Sequence, residues 1–68
     1  MQLVIKNMEM CITKSGMKKK DLARQMGITD KKLSDILHGR KKIDVLIIRT
    51  FCTALAITPN DLFMYKEQ

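Results

Sequence analysis

Sixty-eight residues make one small domain, whose core yields only about 3–5 kcal/mol of net stability and leaves little room for an active-site cavity. Thirteen Lys and Arg against seven Asp and Glu give a formal net charge of +6, while no apolar run approaches the ~20 residues that a membrane span needs. With no signal-peptide pattern at the amino end, a soluble, cytoplasmic protein with no membrane partner is expected.

The chain opens with Val4, Met8, Cys11 and Ile12 at helical spacing, and Gly16 is placed to end the run. This predicts a first helix over about residues 3–14, with Leu3 and Ile5 either starting it or forming an extended arm. From Lys19 to Arg40 the chain reads KKDLARQMGITDKKLSDILHGR. Leu22, Ala23 and Met26 form one apolar stripe, Gly27 breaks it, and Leu33 and Ile36 restart it after Ile28. The pattern predicts helices over Lys19–Met26 and Asp30–His38 joined by one tight turn, a helix-turn-helix. The small Ala23 suits two helices that cross steeply, and Gly27 supplies the positive φ that ends the first of them. A fourth helix is predicted over Val45–Leu55, with Val45, Ile48, Phe51, Cys52 and Leu55 as its core stripe. A fifth runs from Pro59 to about Met64, with Leu62 and Phe63 as core residues. No strand signal intervenes, so residues 1–68 are expected to form a single all-α bundle of about five short helices.

The four later helix starts share one local device. An apolar residue before the cap and another five positions on form a hydrophobic staple, and the pairs are Met17 with Leu22, Ile28 with Leu33, Ile43 with Ile48, and Ile57 with Leu62. The residues between them are Lys18, Thr29, Asp44 and Thr58, of which the last three are good side-chain acceptors. Lys18 departs from this rule. Together with Lys19 and Lys20 it places cations where the helix macrodipole opposes them, at about 0.3–1 kcal/mol each in exposed positions. A local conflict of this kind points to function. Free N–H groups beside lysines make an anion site, so Lys18, Lys19 and Lys20 are assigned to backbone phosphates.

Charge placement supports a polyanion partner. Between Lys14 and Lys42 ten basic residues stand against three acids, whereas the rest of the chain is slightly acidic. The excess coincides with the helix-turn-helix and its flanks. Arg40, Lys41 and Lys42 follow Gly39 at the end of the third helix. A loop leaving a helix that lies in a DNA groove meets the flanking backbone, so these three form a second expected phosphate clamp, and Lys32 is assigned to phosphate as well.

Other chemistry finds little support. Cys11 and Cys52 lie far apart and lack further Cys or His partners, which disfavours zinc and favours buried reduced thiols. His38 suits a bond to the last carbonyls of its helix. Met8, Met10, Met17, Met26 and Met64 read as adaptable core filling. Phe63 and Tyr65 are too few for stacking on single-stranded nucleic acid. No paired carboxylates, Cys/His couple, metal cluster or glycine-rich phosphate loop points to an enzyme, and no cofactor, metal or small-molecule ligand is implied.

Three segments together resemble a known family: Leu22-Ala23-x-x-Met26-Gly27-Ile28-Thr29, then Leu33-Ser34-x-Ile36-x-x-Gly39, then Leu55-Ala56-Ile57-Thr58-Pro59-Asn60-Asp61-Leu62-Phe63. The order is similar to that of lambda-repressor-like helix-turn-helix regulators of the Cro/repressor (xenobiotic response element) type, over about residues 4–63. The resemblance implies sequence-specific binding to double-stranded DNA in a bacterium, phage or mobile element, usually as a homodimer on a palindromic operator. It also implies that Thr29 and Lys19 contact phosphates, while Asp30, Lys31, Ser34 and Asp35 face base edges. Lys31 suits guanine O6/N7. Asp30 also suits the first turn of its helix, and Asp35 either pairs with Lys31 four residues earlier or contacts a base. The chain departs from the family pattern at Lys18, where a small hydroxyl cap is usual, at Leu37, where a polar residue is commoner, and at Ala56, where glycine often ends the helix.

A transcriptional regulator, expected to act as a repressor with its third helix in the major groove, accounts for these features together. An antitoxin or another protein-binding module on the same scaffold is the alternative. No sensing domain is expected, which leaves regulation to concentration, degradation or a partner. Apolar residues that the core stripes do not use are candidates for a dimer interface: Leu46 and Ile47 on the fourth helix, and Met64 and Tyr65 near the carboxyl end.

Overall fold

The computed structural model describes residues 2–63. Every regular element among them is helical: α1 (Gln2–Ser15), α2 (Lys19–Met26), α3 (Asp30–Leu37), α4 (Val45–Leu55) and α5 (Pro59–Phe63). The ends of α2 and α4 fall where the spacing and caps predict. Leu3 and Ile5 lie inside α1 rather than in an extended arm, and α3 stops one residue early, with His38 as its cap. The expected end of the fifth helix at Met64 lies outside the described residues.

Helix α2 packs on both α3 and α4, and α1 lies across α3, α4 and α5. Each helix sends at least one large side chain to the shared centre: Met8, Leu22, Leu33, Ile36, Phe51 and Leu62 are all essentially inaccessible. Truncating one such aliphatic residue to alanine costs about 2–5 kcal/mol in typical cores, comparable with the whole stability of so small a domain. Ala23 is also fully buried, where a larger side chain would push α2 off its neighbours.

Local capping fixes where the helices begin. Thr29 Oγ1 accepts from the Lys32 amide at 3.0 Å, and Asp44 Oδ1 accepts from the Ile47 amide at 2.9 Å. At α5 the box is reciprocal, because the Asp61 amide donates to Thr58 Oγ1 and the Thr58 amide donates to Asp61 Oδ2, each at 3.0 Å. The residues before the caps, Met17, Ile28, Ile43 and Ile57, all pack against the core. Lys18 is extended and gives α2 no side-chain cap.

Helices α2, α3 and α4 end alike. After α3 the Gly39 amide donates to the Ile36 carbonyl and the Arg40 amide to the Asp35 carbonyl, with Gly39 at φ 76. This is the paired closure in which one left-handed residue reverses the chain. Helix α4 closes through the same two bonds, from the Ala56 amide to Thr53 and the Ile57 amide to Cys52, but its left-handed residue at φ 57 is Ala56. An L-residue with a Cβ pays strain there that glycine avoids.

Three expectations need correction. Val45 is 75% exposed whereas Ile47 is 6% exposed and joins the core, so the apolar stripe of α4 is Ile47, Ile48, Phe51, Cys52 and Leu55. Ile47 is therefore withdrawn from the dimer-interface candidates: packing against the other helices already uses it. Phe63 is 48% exposed and is not a core residue like Leu62. Leu37, by contrast, extends the core of α3. Met64 and Tyr65 lie outside the described residues.

Candidate nucleic-acid interface

Helix α3 buries Leu33, Ile36 and Leu37 and carries two adjacent polar stripes beside them, of which Asp35 is itself largely covered. One stripe is Asp30, Ser34 and His38, and the other is Lys31 and Asp35. Residues four apart on a helix stand above one another, so the two stripes form a continuous face. On the first, the His38 ring sits with Nδ1 2.7 Å from the Ser34 carbonyl oxygen, to which it donates, and 3.3 Å from Ser34 Oγ. On the second, the Lys31 ammonium donates to Asp35 Oδ2 at 3.3 Å.

Each flank of this face carries cations. Lys19 and Lys20, at the start of α2, line one cleft with Asp30, Ser34 and His38. Arg40 reaches the other stripe, donating from its guanidinium to Asp35 Oδ1 at 3.4 Å. Arg40, Lys41 and Lys42 also line a second cleft with Ile5, Gly39 and Ile43. Thr29 and Lys32 are exposed at the start of α3, and Lys18 is exposed at the start of α2. The two expected phosphate clusters thus border the helix whose residues are expected to meet base edges.

The site residues are not equally available. Lys31 and Arg40 project strongly, with 85% and 65% of their side chains exposed, whereas the Asp35 side chain is 13% exposed between them. Burial alone would raise the Asp35 carboxyl, but hydrogen bonds and charge from Lys31 and Arg40 hold it below its ordinary value. Lys19 is paired with Glu9 of α1 at 3.2 Å, both groups being well exposed. Sequence reasoning missed this pair because it joins two helices. It also gave His38 only a capping role, although its spacing from Asp30 and Ser34 places it on the same stripe.

Elsewhere the chemistry is quiet. Burial pushes the thiols of Cys11 and Cys52 up, and neither forms a disulfide. Among the described residues no group of three or more His, Cys, Asp or Glu side chains could hold a metal ion, and no helix is long and apolar enough to cross a membrane.

Comparison with known proteins identifies the family of the domain. The model of the Cro/C1-type HTH DNA-binding domain matches residues 7–68. No curated protein and no solved structure matches the chain. Since the match spans nearly the whole sequence, the helical bundle and its helix-turn-helix are those of a DNA-binding transcription regulator, and the chain belongs to the Cro/C1-type HTH DNA-binding domain family.

Proposed function

We propose that this protein is a sequence-specific repressor that lays α3 in the major groove and binds a palindromic operator as a homodimer. The supporting observation is the outward face of α3, bordered by Lys19 and Lys20 on one stripe and by Arg40 on the other. In this reading Lys31, Ser34 and Asp30 meet base edges, with Lys31 donating to guanine O6/N7. Lys18, Lys19, Lys20, Thr29, Lys32, Arg40, Lys41 and Lys42 hold phosphates on either side and set the register. The protein acts in the cytoplasm, at the nucleoid.

Selection of binding sites from random double-stranded DNA, followed by footprinting, tests the proposal. A repeated half-site in inverted orientation is the expected result. Recovery of no preferred sequence would remove the specific-regulator reading and favour a protein partner instead.

A further inference from the structure

Asp35 is an acid on the face that approaches a polyanion, and its surroundings give it a use other than touching DNA. Each carboxylate oxygen is taken by a different cation, Oδ2 by Lys31 at 3.3 Å and Oδ1 by Arg40 at 3.4 Å. Its backbone is engaged too, since the Asp35 carbonyl accepts from the Arg40 amide at 2.8 Å. Arg40 is therefore fixed to Asp35 by main chain and side chain together, and Lys31 is fixed to the same carboxylate from one turn earlier. The cations project while the anion is covered. Two long side chains that would otherwise repel and sample many rotamers are held side by side, and the three groups still carry a net positive charge toward DNA.

We propose that Asp35 is a positioning residue, which holds Lys31 at the base edge and Arg40 at the adjoining backbone so that one base pair is read in a fixed register. The inference rests on the proposed DNA reading. It differs from a direct base contact in its mechanism: Asp35 acts through Lys31. Removing its charge takes an anion off the DNA-facing surface, which favours binding to any duplex, yet frees Lys31 to reach phosphates instead of one base. Affinity and specificity then move in opposite directions, an outcome that simple loss of structure does not give.

The experiment compares full-length wild type, Asp35→Asn, Lys31→Ala and the double variant on the selected operator, on operators changed at one base pair, and on random duplex. Asp35→Asn is expected to bind random duplex at least as tightly as wild type, while preference at the base pair read by Lys31 falls about tenfold, the scale of one base contact. In the Lys31→Ala background the same substitution should change that preference no further. Equal loss on operator and random duplex, or an undiminished effect without Lys31, overturns the inference. Should Asp35→Asn fail to fold, Arg40→Gln supplies the second arm: it should weaken binding to all duplexes and also relax preference at the base pair read by Lys31, and unchanged preference overturns the positioning role. Failure of the wild type to select any sequence overturns the DNA-reading proposal itself, and is distinguished by appearing before any variant is compared.

Discussion

The Asn7 amide donates from Nδ2 to the Leu62 carbonyl oxygen at 3.0 Å, tying α1 to α5 across 55 positions of sequence. Both residues are buried, at 4% and 0% exposure. The bond anchors α5, a helix of five described residues, to the longest described helix, α1. Asn7→Ala leaves a buried carbonyl without this donor and should cost about 1–3 kcal/mol. Urea denaturation of the two proteins checks it, and an unchanged midpoint would mean that α5 is held by Leu62 packing alone.

Ala56 supplies a change in the opposite direction. Its left-handed backbone at φ 57 is strained for an L-residue, whereas glycine adopts it freely but loses more entropy on folding. Strain relief outweighs that loss, so Ala56→Gly should stabilise the domain by about 0.5–1 kcal/mol. Thermal and urea midpoints should both rise; a fall in either would show that the turn is not strained.

What the sequence revealed and what it hid follow from the range of the interactions involved. The starts of α3, α4 and α5 were legible because Thr29, Asp44 and Thr58 cap amides within three residues. The inward face of α4 was not. Val45, Leu46, Ile47 and Ile48 are all apolar, so periodicity admitted two stripes, and packing on distant helices chose Ile47 over Val45. The site divides in the same way. The Lys31–Asp35 pair is an ordinary four-residue spacing, but the Arg40 contact exists only because the Gly39 turn folds the chain back over α3.

Acid should expose the cap of α5. The Thr58 backbone amide, and then its hydroxyl, bonded to the Asp61 carboxylate hold Asp61 below the ordinary carboxylate range. A depressed acid adds stability that is fully present above its unfolded pKa of about 3.9 and is lost as pH falls through the lower folded value. Wild type should therefore exceed Asp61→Ala in stability at neutral pH, with the gap closing below about pH 4. Urea midpoints measured from pH 7 to pH 2 test this, and a gap independent of pH would assign the difference to something other than the charged cap.

Salt should weigh the two basic clusters. If Lys18 to Lys20 and Arg40 to Lys42 hold phosphates in both subunits of a dimer, about 6–10 phosphates are neutralised and log K falls with log salt by about 0.9 for each. Lys41→Gln should reduce that slope by about one per subunit on every duplex, without changing sequence preference. A wild-type slope near zero would remove the electrostatic basis of the DNA reading.

The dimer carries the final prediction. One α3 reads only a few base pairs, so tight operator recognition calls for two copies with half-sites about one helical turn, roughly 34 Å, apart. The domain is 31 Å in its longest extent, which lets two copies lie side by side with their recognition helices one turn apart. Of the candidate interface residues, Leu46 is 64% exposed and stands beside Val45 at 75%. Together they begin α4 just beyond the basic loop Arg40 to Lys42, so a partner seated there would keep both loops near the DNA. Two chains of formal charge +6 repel each other in free solution, and the operator removes that repulsion. Leu46→Lys should accordingly leave the fold intact but convert two-copy binding on the full operator to single half-site binding. Sedimentation of wild type and variant, with and without operator DNA, measures the number of chains bound. A wild type that occupies only one half-site under all conditions would remove the symmetric dimer, and a variant that still binds as a pair would place the interface away from Leu46.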